Sequence, residues 1–520
     1  MTTIDQPLLP LERPSRYDLW RTRLAGDVRL QRLYSWLVPL LITVLAGILR
    51  FWNLAHPHAL VFDETYYVKD AWSQWNLGYA ATWPSGADER FAAGETDIFT
   101  TDPSYVVHPP LGKYLIGVGM WLFGADSSFG WRFSTALFGT ALVLLLYVFA
   151  RSLSGSMVFA AIPSFFLAID GLGIVMSRVA LLDIFLAFFI LLAFWFVVLD
   201  RHAALDRLVA QTVARARERD GEAPPWGPVL WNRPWVIAAG AAAGAATAVK
   251  WSGVWVLAAI GLYLVVTDAL ERRRLGITFW PTDAVRQGAA SFVLLVPVAL
   301  GVYLASWWGW FASDGGYDRH TADTALGSLW EYHLRVFNSM TGMTSPHSYE
   351  SPAWQWPLLW RPTSMYAFAT KGGESGCTGG SAGCLDILYS MPNPLLWYAS
   401  VAAALYLVYR FVLDRDWRHA VVLVGIAATW LPWLAYPERT IFQFYTIVIW
   451  PFLLVALTFA LREIAGPAHA TADRRLAGQR VVSVFLGVVI VLSIFWYPLW
   501  SATQVPYDFY RLHNWMQGWV

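Results

Sequence analysis

The sequence predicts an all-α polytopic membrane protein with about eleven spanning helices and two large loops on the outer side. Three observations carry this expectation. The 520 residues are 57% hydrophobic and only 14% charged, with a mean hydropathy of +0.44, where soluble domains carry about 25% charged residues. Apolar runs of roughly spanning length recur along the whole chain. The arginines between those runs fall into a few clusters, and their distribution orients the chain.

The expected spans lie near 34–53, 131–150, 156–172, 181–199, 235–250, 252–268, 288–308, 393–412, 419–436, 441–461 and 481–499. The stretch HPPLGKYLIGVGMWLFG (108–124) is apolar but short and opens on two prolines. If it spanned, the Arg-rich loop RHAALDRLVAQTVARARERD (201–220) would lie outside, against the positive-inside rule. If it lies along the outer interface as an amphipathic helix, four arginine clusters fall inside: the N-terminal tail, 201–220, ERRR (271–274), and Arg474, Arg475 and Arg480. We adopt that arrangement. It divides the chain into a cytosolic tail (1–33), a membrane core (34–308) with an outer loop at 54–130, a second large outer loop (309–392), and C-terminal helices with an outer tail (393–520). The start of the chain lacks an apolar core with a cleavage site and reads as a retained tail rather than a signal peptide.

Net charge is +1, so no global field draws nucleic acid. The 31 Trp and 23 Tyr suit membrane interfaces and sugar-stacking surfaces alike. Cys377 and Cys384, in GESGCTGGSAGCLD, lack metal-site spacing. In an oxidising outer loop a disulfide closing the Gly-rich turn is expected; in the cytosol, two free thiols. The outer placement of 309–392 favours the disulfide.

The chemistry-bearing residues gather at the outer ends of spans and in outer loops. VFDETYYVKDAWSQW places Asp63 and Glu64 about ten residues beyond the first span. Alone, such a pair is most simply a solvated loop feature. Its company includes His108 and Lys113 in VVHPPLGKY, Arg132 in FGWRFS, and Asp170, Arg178 and Asp183 in DGLGIVMSRVALLDIF. Lys250 in AVKWSG and Arg439 in AYPERT complete the set. Each has an ordinary explanation. Asp183 could answer a helix macrodipole and pair with Arg178, Lys250 could snorkel to the interface, and Arg439 could pair with Glu438. Together, carboxylates beside cations at the membrane edge suit a reaction with an anionic leaving group. Arg and Lys would hold a lipid-linked phosphate, and a carboxylate would take a proton from the acceptor.

The DE pair, HPPLGK, GWR, SRVALLD, VKW and HSYESPAWQWPLLWRP (347–362), in that order from about residue 34 onward, resemble the protein O-mannosyltransferase family, with the closest match to bacterial members. No repeat domain of the fungal MIR type is expected. The resemblance implies a GT-C glycosyltransferase fold in the plasma membrane and a polyprenyl-phosphate-mannose donor. The implied acceptors are Ser or Thr hydroxyls of secreted proteins, with the secretion translocon as a partner. It maps the catalytic base to Asp63, the second member of the pair to Glu64, and further motif positions to Arg132 and His347. Lys113 and Asp183 resemble positions that bind donor phosphate and shape the site in related lipid-dependent transferases. The expected donor-phosphate set is Lys113, Arg132, Arg178, Lys250 and Arg439, and His108, Asp183 and His347 are expected to shape the site. The residues themselves agree with one base and a displaceable phosphate, hence an inverting single displacement. No metal-ligand spacing is seen, so metal-independent chemistry without a cofactor is expected. The competing readings are a transferase of the same fold acting on a lipid or cell-wall glycan, and a transporter. The latter is disfavoured by charges that lie at span tops and by the absence of an inverted repeat.

Overall fold

The computed structural model describes residues 15–467 and 469–519; residues 1–14 of the expected cytosolic tail and Val520 of the outer tail lie outside them. The chain opens with α1 (Arg16–Gly26), capped by Ser15, and α2 (Val28–Phe51), capped by Asp27, whose carboxylate accepts from the amides of Arg29 and Leu30. The 54–130 loop holds α3 (Glu64–Leu77), α4 (Ala87–Ala92) and α5 (Leu111–Phe123). The 13 residues of α5 make a helix about 20 Å long, too short for a hydrocarbon core of about 30 Å. One face of it buries Lys113, Ile116 and Met120, while Trp121, Leu122 and Phe123 remain exposed.

The bundle continues with α6 (Ser128–Ser154), α7 (Met157–Ile169), α8 (Gly171–Val175), α9 (Asp183–Arg217), α10 (Pro234–Val249), α11 (Gly253–Arg274) and α12 (Trp280–Ser306). The long segment after α12 carries α13 (Trp308–Ala312), α14 (Ala325–Thr341), β1 (Thr363–Thr370) and β2 (Cys384–Ser390). The chain returns through α15 (Pro394–Asp414), α16 (Trp417–Trp430), α17 (Trp450–Ala465) and α18 (Ala472–Trp500), and closes with β3 (Val505–Pro506) and α19 (Tyr507–Arg511).

Among the described residues eight helices are long and apolar enough to cross a membrane, α16 counting with the 3₁₀ turn that extends it to Ala435. The other three expected spans are shorter helices, for local reasons. The 156–172 run breaks at Asp170, whose carboxylate leaves α7 to cap the Gly173 amide of α8. The 441–461 run begins as a 3₁₀ segment (Gln443–Val448), and Pro451 sits in the first turn of α17. α10 starts only at Pro234 and ends where Lys250 turns extended.

The structure adds a small sheet to the expected helices. β1 and β2 pair antiparallel, β2 pairs with β3, and Cys377 is bonded to Cys384 with a Cα–Cα distance of 5.7 Å. The segments TSMYAFAT and CLDILYS are rich in aromatic and β-branched residues flanking a Gly-rich turn, the ordinary signal for a hairpin.

At the end of the bundle opposite the 54–130 loop, buried ion pairs tie α9 to α12 together. Arg233 reaches Asp200 at 2.5 Å and Asp268 at 2.5 Å, and Arg272 reaches Asp283 at 2.8 Å. A further set of helix contacts, α9 on α6 and α10 and α17 on α15, surrounds an apolar core crowned by Trp397, Trp450, Trp496 and Trp500.

Candidate active site

The two adjacent carboxylates have opposite surroundings. Glu64 is the first residue of α3 and is fully buried. Its Oε1 accepts from Arg132 Nε at 2.8 Å and from the Ala180 amide at 2.7 Å; its Oε2 accepts from Arg132 Nη2 at 2.8 Å and from the Val61 amide at 3.0 Å. Arg132 spends its remaining donors on the carbonyls of Leu54, Pro57 and Ala59. The GWR segment therefore holds the descending half of the DE loop and has no donor left for a ligand. The SRVALLD turn holds the loop from the other side. Ala180 reaches Glu64, and Arg178 donates to the carbonyls of Arg50, Trp52, Asn53 and Ser501. Of the five cations expected to meet the donor phosphate, Arg132 and Arg178 thus face loop carbonyls. Arg178 is not the partner of Asp183.

Asp63 stands at the N-terminal end of α3 without capping it. The residue before it, Phe62, has φ +51°, a left-handed conformation that costs a bulky side chain energy and marks positions held by their surroundings. Here the holders are three rings edge-on to Phe62: His347 at 5.9 Å, Phe442 at 5.6 Å and Phe444 at 5.6 Å. His347 itself is exposed and packs on Phe442 at 5.0 Å, so it shapes the wall behind Phe62. The backbone reversal turns Asp63 away from Glu64, toward Tyr67, Lys250 and Asp183. Burial pushes its carboxyl up to about 6, with Asp183 adding to the rise and the Lys250 charge and the Tyr67 hydroxyl opposing it.

Lys250 and Asp183 form a close pair, Nζ to Oδ1 at 2.9 Å and to Oδ2 at 2.8 Å, with Nζ also 4.8 Å from the Tyr445 ring. Both line a cavity of about 730 Å³, together with His108, Tyr445 and Arg439. Arg439 lies over Trp433 at 5.3 Å, and its buried Nε has no hydrogen-bond partner among the described residues; it does not pair with Glu438. His108 is held neutral, its pKa well below the usual value because it is buried beside Lys250, Lys113 and Arg439. Lys113 sits one layer back, its Nζ 3.3 Å from Asp70. The HPPLGK segment can bring His108 and Lys113 this close because Gly112 has no side chain. A Cβ there would lie 2.7 Å from Leu182 Cδ2.

The far walls of the cavity are apolar, drawn from α11 (Val254, Leu257), α12 (Ala299, Leu300) and α14 (Leu334, Phe337). In the arrangement expected from the sequence, α14 falls inside the 309–392 loop. Its exposed stripe of Leu326, Trp330, Leu334 and Phe337 has helical spacing and suits an interfacial helix. Near it, Tyr303 Oη meets His333 Nε2 at 2.5 Å and Trp251 stacks on the same imidazole. Tyr445 and Tyr67, which nothing in the sequence singles out, also face this site. Tyr66 is exposed, but Tyr67 is buried beside Asp63. Asp170 accepts from the Asn393 amide at 2.8 Å and Trp450 Nε1 at 2.9 Å and joins helices away from the cavity. Among the described residues no group of three His, Cys, Asp or Glu is arranged to hold a metal ion.

The fold is that of the GT-C membrane glycosyltransferases. The Saccharomyces cerevisiae protein O-mannosyltransferase Pmt1-Pmt2 complex bound to the sugar donor superimposes over 99% of this chain and 96% of its own, with a TM-score of 0.69 at 15% identity. Two family patterns match in sequence: dolichyl-phosphate-mannose-protein mannosyltransferase over residues 125–208, and the C-terminal four-transmembrane region of protein-O-mannosyltransferase over 325–519. The polyprenol-phosphate-mannose–protein mannosyltransferase of Mycobacterium tuberculosis is 32% identical over 99% of this chain and 97% of its own length. Its namesake from Corynebacterium glutamicum is 30% identical over 94% and 93%. The chain belongs to the protein O-mannosyltransferase family.

Proposed function

We propose that the protein transfers mannose from polyprenyl-phosphate-mannose to Ser and Thr hydroxyls of secreted or membrane proteins, at the outer face of the plasma membrane, with Asp63 as the base. The observation that carries this reading is the position of Asp63. It is a half-buried carboxylate with a raised pKa beside Lys250 and Asp183, which line a cavity together with Arg439 and mostly apolar side chains. The cations suit a sugar phosphate and the apolar walls suit a prenyl chain.

In this reading the acceptor hydroxyl gives its proton to Asp63 as its oxygen attacks the anomeric carbon of mannose. The bond from that carbon to the phosphate oxygen breaks, and polyprenyl phosphate leaves. Arg439, with a free donor, and Lys250, with its third N–H, neutralise the departing charge, so the leaving group needs no acid catalyst. A single displacement inverts the anomeric centre. Tyr67, held under Asp63, orients the carboxylate. The outer-face assignment is supported by arginines at the other end of the bundle, at the C-termini of α9 and α11 and the start of α18, as the positive-inside rule requires.

The test is transfer of labelled mannose from purified polyprenyl-phosphate-mannose to a Ser/Thr peptide by the detergent-solubilised full chain, with the product anomer read by NMR. Mannose appearing only on lipid or glycan acceptors would replace the protein-acceptor reading. Retention of configuration would remove the single displacement.

A further inference from the structure

At the end of the bundle opposite Asp63 a second cavity, of about 990 Å³, opens beneath α1. It is bounded by α1, the α6–α7 turn, the end of α17 and the start of α18. It is continuous with a wholly apolar groove of about 390 Å³ between α2, α7 and α18, since Tyr17, Val158, Ile162 and Leu486 line both. The groove follows α2 from Tyr34 to Ile42 and α7 from Met157 to Phe165, roughly 12 Å of helix on each. A polar chamber that leads into an apolar channel has the shape of an amphiphile.

The charges of the chamber specify the sign of the head. Its acids are already answered: Asp18 accepts from Arg475 Nε at 3.3 Å and Gln479 Nε2 at 3.2 Å, and Glu463 faces Arg410 at 3.5 Å. Two cations on the wall are not. Arg462 makes no hydrogen bond or ion pair with any described residue. Arg21 lies over the Tyr17 ring at 5.9 Å and has no acid partner. α7 begins at the same wall with Ser156 as its cap, and its N-terminal dipole adds to the positive field.

We infer that the chamber and groove hold one anionic phospholipid from the leaflet opposite the catalytic face, its phosphate between Arg21 and Arg462 and one acyl chain in the groove under α1. The groove is short for a polyprenyl chain, and the donor cavity lies a full span away. The 24 residues of α2 separate the two by roughly 36 Å. α1 and the bundle share this chamber as their common wall, so the lipid would fasten the N-terminal helix to α7, α17 and α18.

The experiment is native mass spectrometry of the delipidated full chain, titrated with dioleoylphosphatidylglycerol or dioleoylphosphatidylcholine. One phosphatidylglycerol should be retained at least about tenfold more tightly than phosphatidylcholine, as expected for charged hydrogen bonds to the phosphate. The Arg21→Gln/Arg462→Gln variant should lose that preference, and the Arg21→Lys/Arg462→Lys variant should keep it. Ile162→Trp, which fills the groove, should weaken retention of both lipids. Arg439→Gln, in the donor cavity, should leave the adduct unchanged. Because neither arginine has an acid partner, the double Gln variant should melt with the lipid-free wild type. The inference is overturned if that variant keeps its phosphatidylglycerol. It is also overturned if glycerol phosphate alone displaces the lipid, which would mark a soluble-anion site, or if Arg439→Gln abolishes the adduct, which would place it in the donor cavity.

Discussion

Glu64 and Arg132 form a two-point ion pair with neither side chain exposed, the guanidinium Nε and Nη2 each 2.8 Å from a different carboxylate oxygen. Each oxygen also receives a backbone amide, from Ala180 and from Val61. A glutamine in place of Glu64 would present an amide N–H to groups that are themselves donors. Removing one partner of a buried pair costs about 3–5 kcal/mol because the other charge is left stranded. Glu64→Gln and Arg132→Met should therefore each lower the melting temperature sharply, and the double variant should recover part of the loss. A strictly additive double-mutant cycle would show that the pair is not a unit.

Asp63 should behave differently, because in the proposed function it serves chemistry at some expense to the fold. Asp63→Asn keeps the shape and removes the base, so turnover should fall about a hundredfold or more while donor binding persists. In the wild type, kcat/KM should rise about tenfold per pH unit below 6 and level off above it, as the carboxyl, raised to about 6, loses its proton. The stability effect has the opposite sign. A carboxyl whose folded pKa is raised stabilises the fold while protonated, and that contribution is lost as pH rises from the ordinary value of 3.8 through about 6. Ionised Asp63 then costs up to about 3 kcal/mol at pH 7, reduced by partial solvent exposure. Asp63→Asn should therefore melt no lower than wild type at pH 7. A melting temperature well below wild type would identify Asp63 as a structural carboxylate like its neighbour.

The positions of the helices, and the gathering of the reactive set at the end of the bundle away from the arginine clusters, were legible in apolar run lengths and charge placement. Which cation meets the cavity was not. Arg132 and Arg178 have the same residue type and loop context as Arg439, but they lie beneath the DE loop, where Arg132 is taken by Glu64 and the carbonyls of Leu54, Pro57 and Ala59, and both terminal nitrogens of Arg178 by the carbonyls of Arg50, Trp52, Asn53 and Ser501, leaving only its Nε without a partner among the described residues. That depends on how the loop folds back, and the reversal rests on Phe62 being held at positive φ by rings from residues 347, 442 and 444, hundreds of positions away. The Asp183–Lys250 pair, 67 residues apart, is equally non-local; the nearer Arg178 was the natural partner to expect. Tyr445 was read as part of a spanning run. Pro451 delays the start of α17 and leaves that stretch as a 3₁₀ segment whose aromatic ring faces the site.

The hairpin carrying Cys377 and Cys384 is short, with an exposed turn and both cysteines buried at its base. Its disulfide closes a loop of sequence separation 7, for which restriction of the unfolded chain contributes about 2 kcal/mol. Cys377→Ser/Cys384→Ser should loosen the 371–383 turn, seen as faster amide exchange confined to β1, β2 and the turn. Mannosyl transfer should stay within about twofold of wild type. A collapse of activity in the double variant would tie the sheet directly to the site.

The division of labour among the cations is the sharpest remaining question at the site, and three variants separate it. Arg439 has a buried Nε without a partner, so Arg439→Gln leaves no stranded charge and should act on the donor alone. Loss of one charged hydrogen bond, roughly 1.5–3 kcal/mol, should raise the donor KM or lower kcat by at least about tenfold, with no change in melting temperature. Lys250 is different because it also neutralises Asp183. Lys250→Met should lower stability as well as turnover by leaving Asp183 without its partner, and it should also raise the Asp63 pKa, since the Lys250 charge opposes that rise. The acid limb of the pH profile should then move above 6. Asp183→Asn should move the limb downward, because Asp183 pushes the Asp63 carboxyl up. Opposite displacements of the limb in Lys250→Met and Asp183→Asn, with no displacement in Arg439→Gln, would assign the limb to Asp63. A limb that stays fixed in all three variants would mean that the titrating base lies elsewhere.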